Sequence, residues 1–474
     1  MDEARLKNFL ELDYETIEEM NLAARAITDP GEAREKHVAY LEEAKQLKAV
    51  TVCFSDIEGR LHMLDYDRKF FLSSLDNLTF DGSSVRGLSE QSESDLCLQV
   101  DWTSLTFVPA DIFGAGKVIV FANVCDRELQ PYASDFRAQL QTYAAELKKK
   151  DGLEAYMAPE IEGFLLQGVD AEQNYDGRKG FTLVSTGGYF HSLPLDELRR
   201  FIDATAEVQR AMGFGNEKDH PEVAPSQFEI NYRYTDVVRA CDQAQLYKLV
   251  CRQIAMNMGM TATFLPKPIQ GVNGSGMHVN LSLARGGKNI FFDAAGQDRL
   301  SKAGWDFVGN VLHRAADLCL ILNASVNAYR RLDPAYEAPN QIKVSANDRS
   351  SMIRIPFGNE KTARIEVRSV APDANPYMVA FTLLKTGLSG KPPRVDTSKR
   401  ARVRFLPSTI HDAIRVYKAS DYTGKLLGET TKQKYAAPKV AVANRSAVEL
   451  GTRIKSEEII HHHEVTNQFL WNSF

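Results

Sequence analysis

The side chains in this sequence best suited to chemistry are carboxylates that alternate with apolar residues. In Ala158–Leu165, APEIEGFL, Glu160 and Glu162 fall on one side and Ile161 on the other. In Gln227–Arg233, QFEINYR, Gln227, Glu229, Asn231 and Arg233 oppose Phe228, Ile230 and Tyr232, with Glu222 a short way upstream. Arg364, Glu366 and Arg368 oppose Ile365 and Val367 in RIEVR, and His278, Asn280 and Ser282 oppose Met277, Val279 and Leu281 in MHVNLS. A period of two is that of a strand with one apolar face. Any one of these faces alone fits a half-exposed, solvated strand. All four lack lysine, however, and carboxylates gathered on adjacent strands repel one another unless a cation sits among them. Glu160, Glu162, Glu222, Glu229, Glu366 and His278 form an oxygen-rich set that suits Mg²⁺ or Mn²⁺ better than a closed zinc site. They are too many for one Mg²⁺ that keeps its waters; a pair of ions fits, and paired ions bracket a phosphoryl group in transfer. Arg331, Arg349, Arg354, Arg364 and Arg368 follow closely in sequence. Their forks read carboxylate and phosphate oxygens and stabilise charge on a transferring phosphoryl. Metal-dependent phosphoryl transfer to an acidic substrate follows; the acceptor stays open.

The elements that must position these groups are legible from turns and periodicity. Asn273-Gly274-Ser275-Gly276 is turn chemistry immediately before the histidine strand. Two amphipathic helices broken at Asp29-Pro30-Gly31 are predicted over 1–46, then a hairpin about Glu58-Gly59. Thr79–Asp95, TFDGSSVRGLSEQSESD, reads as a loop, and a long loop in a compact domain is more often functional than idle. Lys117–Val124 is a strand; the Gly-Lys pair before it lacks the spacing of a phosphate loop. Helices are expected from Ser134 to Asp151 and over Leu195–Met212, Asp236–Met258, Ala303–Asn323 and Tyr377–Gly387. Ile353–Arg368 reads as strand-like, and the C-terminal region as mostly helical, ending in the apolar segment VTNQFLWNSF. The adjacent His461–His463 cannot all face one point, so they are expected at a solvated helix end rather than on a metal.

Composition excludes several classes. The 474 residues carry 57 basic and 62 acidic side chains, net −5, without a long run of either sign. That balance offers no footprint for nucleic acid or an anionic membrane. No stretch reaches the ~18–20 apolar residues of a membrane span, and the acidic N-terminus is no signal peptide. Six scattered cysteines without a Cys-x-x-Cys pair point to reduced, buried thiols. A cytoplasmic protein is expected.

With these residues assembled, the chain resembles the glutamine synthetase family, in its bacterial and archaeal type I form, from about residue 46 onward. FDGSS, APEIE, KPIQGVNGSGMH, RLDPAYEAP, NDRSSMIRIP and RIEVR with ANPY occur in family order. The resemblance implies an α+β fold: a small β-grasp-like N-terminal domain (47–130) after a helical extension (1–46), then a large α/β catalytic domain with a curved antiparallel sheet and a helical tail (131–474). It also implies ATP-dependent ligation of ammonium to glutamate through γ-glutamyl phosphate, in a dodecamer of two hexameric rings. Glu162, Glu222 and Glu229 would hold one Mg²⁺ or Mn²⁺, and Glu160, His278 and Glu366 the other. Arg349 and Arg354 would clamp the transferring phosphate. Arg331 and Arg368, with the Asn273-Gly274 turn, would bind glutamate. Asp81, supported by Tyr189, would take the proton of ammonium, and Glu337 would be the flap acid. Tyr234, Asn280, Ser282 and Arg364 would line the nucleotide.

Departures from the family pattern are Pro221 for a histidine beside Glu222, Asn280 for a histidine in the nucleotide strand, and Leu88 for an aromatic. Ser389–Pro407 also lacks the tyrosine that some members adenylylate. The alternatives are a ligase of the same family acting on an amine such as a polyamine or ethanolamine, and an inactive nitrogen-sensing homologue. Retention of Asp81 and Tyr189 favours ammonium over the former, and retention of the ligands and Glu337 disfavours the latter.

Overall fold

The computed structural model describes residues 9–85, 87–89, 91–175, 180–393 and 403–443. His461–His463, the VTNQFLWNSF segment and part of the tyrosine-free stretch lie outside these residues. Both N-terminal helices start at aspartate caps. Asp13 accepts from the Thr16 N–H at 2.8 Å ahead of Tyr14–Ala26, and Asp29 accepts from Glu32 N–H ahead of Pro30–Glu43. Proline in the first turn costs no hydrogen bond, so the predicted break is a cap and a restart.

Five strands form the first sheet: β1 (Ala49–Ser55), β2 (Leu61–Asp67), β3 (Thr79–Asp81), β4 (Asp95–Phe107) and β5 (Lys117–Cys125), in the order β2-β1-β5-β4-β3. Only β1 and β5 run parallel. The stretch expected as one loop over Thr79–Asp95 is bounded by paired strands, Asp81 lying opposite Asp95. Asp81 therefore sits at the end of an edge strand. The long β4 was not anticipated, because a register shift between Asp101 and Thr106 interrupts its alternation. Ile17, Ala24, Ala33 and Leu41 of the N-terminal helices share one core with Val50, Val52, Trp102 and Phe107 of this sheet. The helical extension is thus built into the first sheet. Asn21 Nδ2 donates to the carbonyls of Phe107 and Ala211, both at 2.9 Å, joining that core to the helix Glu197–Ala211.

The second sheet has ten strands: β6 (Leu153–Gln167), β7 (Asn216–Pro221), β8 (Gln227–Tyr232), β9 (Thr235–Asp236), β10 (Met260–Thr263), β11 (Met277–Arg285), β12 (Lys288–Asn289), β13 (Gln341–Ser345), β14 (Ser351–Arg354) and β15 (Ile365–Val367). Its main path is β13-β14-β15-β11-β6-β8-β7, antiparallel except for β13–β14. The fold is the expected α+β class with a curved, largely antiparallel sheet. The block expected as strand over Ile353–Arg368 is two short strands, split where Pro356 and Gly358 prevent continuous pairing.

Helices Phe136–Asp151, Glu197–Ala211, Val237–Asn257, Lys302–Leu322 and Pro376–Gly387 contribute to the large core, where Leu140, Phe201, Tyr247, Phe307 and Phe381 join Ile161, Phe228 and Val279 of the strands. The apolar side of each strand is consumed there, which leaves the polar side to form a site. All six cysteines are free, five of them buried. Among the described residues no helix is long and apolar enough to cross a membrane.

Candidate active site

The register on β6 decides which polar groups meet. Glu160 lies opposite His278 of β11, and Glu162 opposite Glu229 of β8. Glu229 in turn faces His220 of β7. On the other flank Glu366 of β15 pairs with Asn280 of β11 and with Arg354 of β14. A slip of one residue in any strand would turn its acids into the apolar core. The glycine turn before β11 permits close backbone approach. A Cβ at Gly274 would lie 2.4 Å from the Pro266 carbonyl oxygen, and one at Gly276 would lie 2.7 Å from His278 Nε2. Bare backbone there lets the Gly276 N–H donate to Glu162 Oε2 at 2.7 Å.

Most of these groups line one cavity of about 220 Å³. Glu160, Glu162, Glu222, Glu229, His278 and Glu366 share it with Arg331, Arg349, Arg354, Arg364 and Arg368, and with Tyr189, Asn273, Gly274 and Glu337. Glu366, fully buried, is held between Arg354 Nε at 2.5 Å and Arg368 Nη1 at 2.6 Å. His278 Nδ1 lies 3.7 Å from Glu366 Oε1 and 3.8 Å from Glu160 Oε2. Arg331, buried beneath the floor, donates to the Arg368 and Val370 carbonyls and approaches His278 Nε2 at 3.3 Å. Burial lowers its pKa to about 10, so it remains a cation. Asn273 Nδ2 reaches Glu337 Oε2 at 3.2 Å, and Glu337 adopts a left-handed backbone (φ 60°).

Electrostatics makes the same cavity costly without a counter-ion. Burial, and then the charge of Glu222, pushes the Glu162 carboxyl up to about 8. Burial raises Glu222 to about 7, with Glu337 adding to the shift. Glu229 is pushed well above its ordinary value by burial and then by Glu162, Glu160 and Glu222. Burial, and then Arg368, holds His278 far below its ordinary value, leaving a neutral imidazole free to ligate. A divalent cation would relieve this repulsion.

The donor set fits divalent ions. One atom each from Glu160, His278 and Glu366 lie within 4.8 Å of one another, and so do one each from His220, Glu222 and Glu229. The first set is the one the family resemblance implied. In the second, His220 stands where Glu162 was expected. Glu162 gives one oxygen to the Gly276 N–H, and its other lies 3.9 Å from His278 Nε2, between the two sets.

Four expected residues lie outside the cavity lining. Asn280 donates through Nδ2 to Glu160 Oε1 at 3.1 Å and accepts at Oδ1 from Arg364 Nε at 2.9 Å, so it buttresses the site. Ser282 lies farther along β11, opposite Tyr156, and the exposed Tyr234 ring packs edge-on against Tyr156. Asp81 is exposed, with its carboxylate accepting from both Ser83 and Ser84 hydroxyls at 2.6 Å. Those bonds lower its pKa. Sequence reasoning missed His220 and the neighbouring Lys218 as site residues; their two-residue spacing ahead of Glu222 was the available signal.

Known proteins resemble this chain over most of its length. The family profile of the glutamine synthetase catalytic domain matches residues 133–450, and that of the glutamine synthetase β-grasp domain matches residues 46–127. Glutamine synthetase of Thermotoga maritima is 35% identical over 433 residues, covering 88% of this chain and 96% of that one. Glutamine synthetase of Staphylococcus aureus is 36% identical over 406 residues, covering 81% and 89%. Among solved structures, a GmaS/ADP complex superposes with a TM-score of 0.72 at 25% identity, covering 88% of this chain and 95% of that one. Plasmodium falciparum glutamine synthetase shares the fold, with a TM-score of 0.78 at 18% identity over 91% and 98% of the two chains.

Proposed function

Since the chain belongs to the glutamine synthetase family, we propose that it ligates ammonium to the γ-carboxylate of L-glutamate, converting ATP to ADP and phosphate through γ-glutamyl phosphate. The observation that carries this reading is the convergence of six glutamates, His278 and five arginines on one cavity. Carboxylates alone would suit a cation store; the arginines add the means to hold a substrate carboxylate and a transferring phosphoryl together.

Glu160, His278 and Glu366, and Glu222 and Glu229 with Glu162 beside them, would hold two or more Mg²⁺ or Mn²⁺ ions. When bound, these ions would neutralise phosphate charge and polarise the transferring group. Arg331 and Arg368, with the Asn273-Gly274 turn, would orient the glutamate carboxylates. Arg349 and Arg354 would hold the phosphoryl oxygens, which requires Arg354 to divide its fork between Glu366 and the phosphate. The ATP base and ribose would lie along the face that continues from Asn280 and Arg364 past Ser282 to Tyr234. Glu337, hydrogen-bonded to Asn273 at the cavity mouth, would close over the acyl phosphate and keep water from it.

Asp81 would remove the ammonium proton with help from Tyr189. Its place on an edge strand outside this cavity supports a shared site, in which one subunit lends Asp81 to the metal-binding face of its neighbour. A ring assembly, the dodecamer of the type I form, follows from that reading. We assign residues 1–46 as a helical extension, 47–130 as the β-grasp domain and 131–474 as the catalytic domain, and place the enzyme in the cytoplasm.

The test is ATP-dependent phosphate release with Mg²⁺ and glutamate, adding ammonium or amines in turn and identifying the product. Glutamine formed with ammonium supports the assignment. Turnover only with an amine moves the chain to the γ-glutamyl-amine ligases and directs attention to Leu88 and Pro221. No turnover with any acceptor favours an inactive homologue.

A further inference from the structure

His220 was not among the residues assigned a role from sequence, yet it stands beside the cavity, grouped with Glu222 and Glu229, with one buried ring nitrogen lacking a hydrogen-bond partner. It is only 6% exposed. Its Nδ1 lies 3.1 Å from the Pro221 carbonyl oxygen, an acceptor, so that nitrogen carries the proton. The lone pair is therefore on Nε2, which is buried and makes no hydrogen bond. The nearest carboxylate to Nε2 is Glu229 Oε1 at 3.8 Å, an atom that also only accepts. A buried lone pair facing a carboxylate across that gap is an unsatisfied acceptor, which destabilises the ion-free site. The gap is too long for a hydrogen bond but matches two metal–ligand bonds of about 2.1 Å meeting at an ion. Tyr189 and Phe190 pack edge-on against the imidazole at 5.5 and 4.8 Å and hold its plane. A ring nitrogen donating to a backbone carbonyl while the other nitrogen points at acids is the arrangement that orients metal-ligating histidines.

We infer that His220 Nε2 is a direct ligand of the ion held by Glu222 and Glu229. This inference rests on the metal-dependent reading of the site but goes beyond it. That position becomes a mixed nitrogen–oxygen set, as the Glu160–His278–Glu366 set already is. An imidazole favours Mn²⁺ and other borderline first-row ions over Mg²⁺. Each of the two ions in this chain then has one histidine.

The experiment is pulsed electron paramagnetic resonance on the full-length protein loaded with Mn²⁺, prepared with ordinary or ¹⁵N-labelled histidine. The isotope substitution isolates imidazole nitrogen bound to the metal from backbone nitrogen. Wild type is expected to show two coordinated histidine nitrogens for two ions. H278Q should retain one, and the H220Q/H278Q double variant none. In competition titrations, H220Q should lose about tenfold or more in Mn²⁺ affinity at one position, with Mg²⁺ affinity changed much less. One histidine nitrogen in wild type, or none in H278Q, overturns the inference while leaving the metal-dependent reading standing. Failure of wild type to bind Mn²⁺ or Mg²⁺ at all overturns both. The wild-type count decides even where a variant does not fold.

Discussion

The raised carboxyl pKa values make a quantitative prediction about protons. Glu162 titrates at about 8 and Glu222 at about 7, against an ordinary 4.5, chiefly because both are buried. At pH 7 the pair therefore retains a substantial share of its protons in the ion-free protein. Glu229, shifted in the same direction, adds to this. A divalent ion needs ionised ligands, so loading the site should expel protons at pH 7 and progressively fewer as the pH is raised.

Stability follows with a definite sign. A carboxyl whose folded-state pKa is raised supports the fold fully below about pH 4.5 and loses that contribution as pH rises through 7 to 8. The ion-free protein should lose several kcal/mol over that window, at ~1.4 kcal/mol per pH unit for each full proton difference. Saturating Mg²⁺ or Mn²⁺ should largely flatten the curve. Titration calorimetry in buffers of different ionisation enthalpy measures the protons, and urea unfolding at a series of pH values measures the stability. Zero proton release at pH 7, or an ion-free protein that grows more stable from pH 5 to 8, would refute the reasoning.

Four further outcomes are expected. Glu337→Ala should keep nucleotide binding but let phosphate release outrun glutamine formation, measured as the ratio of the two products; a ratio unchanged from wild type removes Glu337 from the flap. Asp81→Ala should raise the KM for ammonium far more than that for glutamate. If sites are shared between subunits, D81A and E366A proteins refolded together should recover about a quarter of wild-type activity, by random pairing at each interface; no recovery would place the whole site within one chain. Arg137 bridges Asp242 of the helix Val237–Asn257 and Asp101 of β4, both at 2.8 Å, from a fully buried position. Arg137→Met should therefore cost about 3–5 kcal/mol in denaturant unfolding by leaving two carboxylates unpaired; a loss below about 1 kcal/mol would mean those acids are solvated or protonated.

The sequence by itself determined which side chains would share a face. Strand period is a local property, so Glu160 with Glu162, and His278 with Asn280, were placed on polar sides without any knowledge of neighbours. Glycine turns and breaks were equally local, and the helices expected from Ser134, Leu195 and Asp236 begin within a few residues of those positions, each at an aspartate cap. The chemistry of the acids and arginines could also be named in advance, because it depends on residue type. Pairing could not. That Glu229 meets both Glu162 and His220, and that Arg354 and Arg368 grip Glu366, depends on strand order and register, which arise from the packing of distant segments. β4 remained hidden because a register shift breaks its pattern, and its strand character is completed by pairing with β5 and β3. The burial that raises Glu162, silences His278 and strands the His220 lone pair exists only once the sheets and helices close around them. Residue type decided what this site can do, and tertiary packing decided which atoms do it, because desolvation and charge proximity are properties of the closed fold and not of the chain.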